Sequence, residues 1–243
     1  MGRSNHISLR DIAGGMTHAL PIAAGYFPVA VAFGLSAGTT GLTILEGTAM
    51  SVIVFAGASQ FLALGLISAG ALPLQIIFSG VLLNLRHLLF SANIAERTPG
   101  WRRRHHLLNA FGLTDEVFAL ASSQPELHPG RLLGMEIIAY SSWVGGTAAG
   151  FAAGELLPAD LHMALGTALY ALFAALLAVH LRHSCRNLLP AAAAAGVHLL
   201  LRKFTPVDPG WSFTLAILIG AGIAAGIHSY IPKNTEDVTD DLS

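Results

Sequence analysis

Along this chain, long stretches of apolar residues alternate with short polar clusters. The apolar runs cover residues 12–37, 50–72, 74–94, 132–153, 163–179, 188–201 and 211–231. They are continuous rather than alternating, and they are rich in Ala and Leu, which predicts helices rather than barrel strands. A helix that crosses a bilayer needs about 20 predominantly apolar residues. Most of the runs reach that length, whereas 188–201 is short. An eighth stretch, 107–121, is apolar at its ends but carries Asp115 and Glu116 in its middle. The pattern predicts an all-α integral membrane protein of about seven to eight hydrophobic helices, some of them broken or re-entrant. It also divides the chain into a polar N-terminal segment (1–11), one transmembrane domain (12–232) and an acidic tail (233–243).

Composition narrows the class further. Of the 243 residues 53% are hydrophobic and only 11% charged, where a soluble domain carries about 25% charged residues. That is too little charge to coat a soluble globule, which argues against a water-soluble enzyme and excludes a disordered chain or coiled coil; a bilayer accommodates the surplus apolar surface. The formal net charge of -1 offers no basic field for nucleic acid. Cys185 is the single cysteine, so neither an internal disulfide nor a Cys-based metal site is expected. No compact h-region with a small-residue cleavage site follows residues 1–11, and His6 stands where a myristoylation signal wants Ser or Thr.

The few charges set an orientation. Arginines gather at Arg97, Arg102, Arg103 and Arg104, and again at Arg182 and Arg186. Both clusters are expected on the cytoplasmic side. Two good spans, 132–153 and 163–179, lie between them, so 107–121 cannot cross alone and reads as re-entrant or as one piece of a broken helix. Upstream, three full crossings from a cytoplasmic N-terminus would end on the wrong side of Arg102 to Arg104. With Arg3 and Arg10 favouring a cytoplasmic start, one early run is expected to be broken.

Two places carry break signals. Pro21 and Pro28 each remove a helix donor and crowd the preceding turn, although a proline kink is well tolerated in membrane helices. In Phe55-Ala56-Gly57-Ala58-Ser59-Gln60-Phe61, Gly57 reads as a break and Ser59 as the cap of a new helix. Phe111-Gly112-Leu113-Thr114-Asp115-Glu116-Val117-Phe118 repeats the scheme, with Gly112, Thr114 and Asp115 in the places of Gly57, Ser59 and Gln60. The recurrence points to an inverted internal repeat, as in transporters whose half-helix ends meet near the midplane.

Polar groups inside apolar runs are costly and commonly functional. Asn84 and His87 share a helix face with Ser91, and Arg86 points elsewhere, to pair with an acid or to snorkel. Asp115 and Glu116 are the adjacent acids with apolar flanks; Asp115 also suits a plain helix cap. Glu46, Glu136 and Glu155 lie nearer run ends and read as interfacial. Ser141, Ser142 and Trp143 lie inside 132–153, where serines usually bond a neighbouring backbone. Gly146, Gly150 and Gly154, like Gly222 and Gly226, have the spacing of close-packing faces. Trp211 and Tyr230 bracket the last run as an aromatic belt would. His105-His106 reads as part of a solvated basic loop. No zinc, phosphate-loop or nucleophile-elbow motif is present. Neither catalytic residues nor a cofactor are expected, and transport would run on an ion gradient or downhill.

The words Pro21-Ile22, Gly25-Tyr26-Phe27-Pro28-Val29-Ala30, Ala32-Phe33-Gly34, Ala56-Gly57-Ala58-Ser59-Gln60-Phe61, Asn84-Leu85-Arg86-His87 and Phe111 to Ala119, with Trp143 and its following glycines, occur in the order found in the AzlC family. The chain resembles that family over about residues 12 to 230, with the part past Gly154 carried by hydropathy. The resemblance implies a multi-pass permease of the bacterial inner membrane that exports the branched-chain amino acids valine, leucine and isoleucine. It further implies a separately encoded partner, a small AzlD-type membrane subunit. On that reading Ser59 and Gln60 at a half-helix start receive the carboxylate, and Asp115, with Glu116 as alternate, faces the ammonium or carries a coupling proton. Tyr26, Phe61, Phe118 and Trp143 are candidate walls, Asn84 and His87 face the cavity, and Arg86 gates by holding an acid. The competing readings are an intramembrane lipid-modifying enzyme built on His87 with Asp115 or Glu116, and a non-transporting structural subunit.

Overall fold

A computed structural model describes residues 7–156, 188–204 and, within 211–226, residues 211–212, 215–216, 218–220, 222–223 and 226. Every regular element among them is α-helical. The chain forms two compact units, Met1–Ser68 with Ile76–Leu172, and Ala69–Gln75 with Phe173–Ser243.

In the first unit, α1 (Leu9–His18) starts at a capping box. Ser8 Oγ accepts the Asp11 N–H at 3.2 Å, and the Asp11 carboxylate accepts the Ser8 N–H at 3.3 Å. Hydrogen bonding from Ser8, helped by His128, holds the Asp11 carboxyl below the usual carboxylate range. The 12–37 run does break, at Ala19, and α2 (Leu20–Thr39) opens with Pro21 in its first turn, where a missing N–H costs nothing. Pro28 corrects the expectation of a second break: it lies inside α2, which continues past it. Packing beyond the proline explains the tolerance, because Ala30, Phe33 and Gly34 are all buried.

A second capping box, Thr43 with Glu46, starts α3 (Ile44–Val54). Glu46 is exposed there, as an interfacial residue would be, and the Thr43 N–H holds its carboxyl below the usual range. The next break falls two residues before the expected one. Phe55 takes a left-handed conformation (φ 43°), Ala56 follows, and Gly57 is already the first residue of α4 (Gly57–Ser68). Ser59 therefore lies within the first turn of α4 and is not its cap. A left-handed aromatic residue is strained by about 1–3 kcal/mol and persists only where its surroundings hold it. Phe55 is 3% exposed, with its ring edge-on to Tyr140 at 5.0 Å.

Helices α5 (Pro73–Asn84) and α6 (Arg86–Arg97) are nearly one rod of 25 residues, whose most apolar 18-residue stretch has a mean hydropathy of 1.4. The 74–94 run, expected unbroken, tightens locally at Leu85. The Leu85 N–H bonds to Leu82 O at 3.3 Å and the Leu88 N–H to Leu85 O at 3.1 Å, a 3₁₀-type step inside the helix. This rod is scarcely buried: Ile77, Val81, Leu88 and Leu89 all stand exposed. Such a surface suits hydrocarbon and not water. Arg97 donates to Gln124 O at 2.8 Å and so ties the end of α6 to the chain just after α8. Helix α7 (Arg103–Ala110) leads through residues 111–114 into α8 (Asp115–Ser122). Thr114 caps α8 by accepting the Val117 N–H, so Asp115 is the first helical residue and not the cap.

Helix α9 (Pro129–Leu156) has 28 residues and is about 42 Å long. Helices α1, α2, α3, α7 and α8 pack on it. Glycines let two of them approach backbone to backbone. A Cβ at Gly34 would stand 2.2 Å from Thr147 O, and one at Gly150 would stand 2.2 Å from Val31 O. Gly15 and Gly134 form the equivalent reciprocal pair between α1 and α9, where an added Cβ at either would stand 2.0 Å from a facing carbonyl oxygen.

In the second unit, α10 (Leu188–Phe204) ends with Arg202 and Lys203, where cations suit the helix dipole. Ser212 Oγ lies 3.2 Å from His198 Nδ1. Close packing in this unit falls at Gly220, whose Cβ would meet Ala194 backbone at 2.7 Å. Among the described residues nothing stands within 4 Å of a Cβ at Gly222 or Gly226, the pair expected to form that face. The 163–179 run, Arg182, Arg186, Tyr230 and the acidic tail lie outside the described residues, as do the surroundings of Glu155.

Candidate functional site

Two half-helix starts, those of α4 and α8, are both bonded to the irregular step between α5 and α6. Ser59 Oγ, in the first turn of α4, donates to Asn84 Oδ1 at 2.6 Å. Arg86 Nη1, just past the step, pairs with Asp115 Oδ1 at 2.9 Å. Both side chains of that pair keep about a third or more of their surface open, at 35% and 42%. Arg86 Nε is buried and has no hydrogen-bond partner. One segment, Asn84-Leu85-Arg86, thus holds one start through each of its flanking side chains.

Tyr26 of α2 closes the cluster. Its hydroxyl lies 2.8 Å from Thr114 Oγ1 and also bonds the Glu116 carboxylate. A phenol has one proton to donate, and a carboxylate only accepts. The Tyr26 proton therefore goes to Glu116, and the Thr114 hydroxyl donates to the Tyr26 oxygen. The Tyr26 ring meets Trp143 edge-on at 5.5 Å.

Glu136, Tyr140 and Trp143 form one stripe of α9 over two turns. Both breaks rest on it through their glycines. A Cβ at Gly57 would stand 2.6 Å from the Trp143 ring, and one at Gly112 would stand 2.5 Å from Glu136 Cβ. Between these contacts, Phe55 and Phe111 each face the Tyr140 ring, at 5.0 and 5.9 Å. The Tyr140 hydroxyl donates to Val52 O, in the last turn of α3, at 3.0 Å. The two similar sequence words are thus neighbours in space on the same face of α9.

Gln60 is fully buried and its amide is occupied at both ends. Its Nε2 donates to Ser51 Oγ at 2.9 Å, and its Oε1 accepts Trp143 Nε1–H at 2.9 Å. Ser51 Oγ lies 2.8 Å from Thr147 Oγ1, and Thr147 donates onward to Trp143 O at 3.0 Å. Phe61 packs edge-on to Phe33 at 5.4 Å and is buried in the core.

The structure brings Tyr26, Ser59, Asn84, Arg86, Asp115, Glu116 and Trp143 into this one cluster, with Gly57 and Gly112 beside it and Gln60 behind it. Phe118 and His87 both meet Phe90, about one turn along α6 and α8 from the Arg86–Asp115 pair: Phe118 stacks on it at 4.5 Å and His87 lies 5.8 Å from it. Neither Asp115 nor Glu116 pairs with His87. Ser142 donates to Ala23 O at 2.6 Å, a helix–helix bond of the kind expected for serines here.

Sequence reasoning missed Ser51, Thr147, Tyr140 and Thr114 as partners. The hydroxyl aligned with Ser59 was the one signal that could have drawn Thr114 out. Two expectations are corrected outright. Glu136, taken as interfacial, is 3% exposed with Oε1 unpartnered. His105, taken as solvated, is 3% exposed inside the α7 contact, because α7 packs on α9. A cavity of about 320 Å³ lies between α6, α7 and α9, lined in part by Ser91, Ile94, Asn109, Leu113 and Leu132. Among the described residues no group of three or more His, Cys, Asp or Glu could hold a metal ion.

The arrangement presents groups of both charge signs. Half-helix starts favour anionic groups, Arg86 Nε is an unused donor, and Asp115 and Glu116 suit an ammonium. Comparison with known proteins agrees in class. Residues 21–157 match the family described as AzlC protein. The chain is 41% identical to an uncharacterized membrane protein of Archaeoglobus fulgidus over 190 residues, 76% of this chain and 84% of the relative. It is 33% identical to the inner membrane protein YgaZ of Escherichia coli over 225 residues, 87% of this chain and 86% of the relative. A stretch of 103 residues, 42% of this chain and 40% of the relative, is 26% identical to the branched-chain amino acid transport protein AzlC of Bacillus subtilis. No solved structure matches. With the family match spanning more than half of its length, the chain belongs to the AzlC family of membrane proteins.

Proposed function

We propose that this protein is a multi-pass permease of the bacterial inner membrane that exports valine, leucine and isoleucine, acting with a small AzlD-type membrane subunit. The observation that carries the reading is the convergence of two half-helix starts, α4 and α8, on Asn84 and Arg86. A substrate carboxylate is received between the start of α4 and Arg86 Nε. The ammonium faces Asp115, with Glu116 held by Tyr26 as the alternate. Tyr26 and Trp143 supply the apolar wall.

This assignment moves Gln60 from ligand to scaffold, since both ends of its amide are engaged within the protein. The Arg86–Asp115 pair is open enough to break and re-form, and it links α6 to α8. Breaking it when the ammonium arrives would free the start of α8 while Arg97 still holds its far end to the rod, which makes a two-state gate.

The test is counterflow of labelled branched-chain amino acids in liposomes holding the full chain with and without its small partner. Saturable exchange of valine, leucine and isoleucine with the partner present is the expected result. No exchange by a folded preparation would refute the reading. Asp115→Asn, inserted at normal levels, is expected to abolish exchange; transport at the parental rate would remove Asp115 from its role.

A further inference from the structure

Glu136 is the buried acid that the mechanism above leaves unused. It sits about two turns into α9 on the packed face, 3% exposed, and its Oε1 has no hydrogen-bond partner. Burying a lone ionised carboxylate is among the costliest arrangements in a protein, whereas the neutral acid is far cheaper. We propose that Glu136 is a proton-carrying residue of the transport cycle, loaded and unloaded through the cavity between α6, α7 and α9. This rests on the transport reading and adds an energy-coupling site to it.

Three features of the fold support the assignment. The first is what covers the acid. A Cβ at Gly112 would stand 2.5, 2.6 and 2.8 Å from Glu136 Cβ, Cγ and Cδ, so a glycine lets the non-helical 111–114 link lie directly over this side chain. The second is what the link joins. It runs into α8, whose Asp115 pairs with Arg86, so motion of α8 in the gate would drag the cover.

The third feature is access. The cavity is lined by Leu113, which follows Gly112, and by Leu132, one helical turn before Glu136 on α9. Asn109 also lines it, with Oδ1 buried and unpartnered, an acceptor suited to a water molecule. A displaced link would therefore join the carboxyl to the cavity.

Among the described residues no charged group is paired with Glu136. The titratable and charged groups on the elements packed against α9 are Arg10, Asp11 and His18 on α1, Tyr26 on α2 and Glu46 on α3. Those on α7 and α8 are His105 and His106 beside Arg103 and Arg104, then Asp115 and Glu116. None of them is paired with Glu136. In the step itself the O–H bond of the Glu136 acid breaks, the carboxylate keeps the electron pair, and the proton passes to water in the cavity. The reverse step reloads it. The carboxylate is affordable only while the link is displaced and water or the substrate's ammonium faces it.

The experiment uses the full chain with its partner in liposomes and compares wild type with Glu136→Gln and Glu136→Asp. Two rates are read: exchange of labelled valine with no gradient, and accumulation driven by an imposed pH gradient. Glu136→Gln is expected to keep exchange and lose gradient-driven accumulation, and Glu136→Asp to keep part of it. Gradient-driven accumulation by Glu136→Gln at the wild-type level would overturn the proposal, as would equal loss of both rates by a variant that melts like wild type. A cargo-independent measurement separates this from the transport reading. The infrared carbonyl band of a protonated carboxyl, present in the wild-type protein at neutral pH, is expected to vanish in Glu136→Gln. If wild type shows that band but no valine exchange, the substrate reading fails and the proton site stands. An unchanged band overturns the proton site whatever the transport result.

Discussion

The Gln60–Trp143 hydrogen bond offers a sharp test of how the core of this site is held. Replacing Gln60 by Leu keeps most of the volume but strands Trp143 Nε1–H, while the Ser51 hydroxyl loses one donor and keeps its bond to Thr147. Replacing Trp143 by Phe strands Gln60 Oε1. The double replacement removes both partners of the 2.9 Å bond and strands neither. In water, a buried donor or acceptor without a partner costs about 1–3 kcal/mol. In a bilayer the denatured helices also find partners, and measured pairwise couplings average about 0.6 with a maximum near 1.7 kcal/mol. Both residues here are at most 4% exposed, so the upper half of that range applies. Each single variant is expected to lose about 1–3 kcal/mol, and the double to lose less than the sum by about 1–1.7 kcal/mol. The assay is reversible unfolding in mixed micelles, on the four members of the cycle. Additivity within about 0.3–0.5 kcal/mol would mean that the two side chains act independently, which refutes the scaffold role.

Further outcomes follow from the same contacts. Gly150→Leu drives a side chain into Val31 O and is expected to cost about 1–3 kcal/mol or more, whereas Gly145→Leu on the open face is tolerated; detergent melting curves distinguish them. Breaking the half-open Arg86–Asp115 pair with Arg86→Gln is expected to change stability by only about 0–1 kcal/mol while stopping exchange, so melting and counterflow separate. Tyr26→Phe, which leaves the Glu116 carboxylate without its donor, is expected to weaken valine exchange more than it lowers melting, and equal losses would make Tyr26 purely structural. The Ser8 cap carries a pH signature. The folded Asp11 carboxyl is held below its unfolded value of about 3.9, so its contribution is complete above that pH and is lost as pH falls through the folded value. Ser8→Ala is expected to cost about 1 kcal/mol near neutrality, with the gap to wild type closing in acid when melting is followed with pH.

Much of this protein can be read along the chain. Scarce charge placed it in a bilayer, continuous apolar runs made it helical, and Gly57 and Gly112 marked the neighbourhoods of two breaks, because solvation and backbone propensity act locally. The Thr43–Glu46 and Ser8–Asp11 boxes are equally local. Their partners are three residues apart. What the chain could not reveal is which polar group is satisfied by which. Pro28 remains helical because α9 packs beside α2. Gln60 is structural because Trp143, 83 residues away, takes its oxygen. Glu116 meets Tyr26 across 90 residues, and Glu136 lies under the Gly112 link instead of at an interface. A buried polar group takes its meaning from partners and depth, and both are set by long-range packing. The sequence by itself determined the class, the helices and the rough position of the broken segments. Only the tertiary structure decided which side chains those breaks bring together.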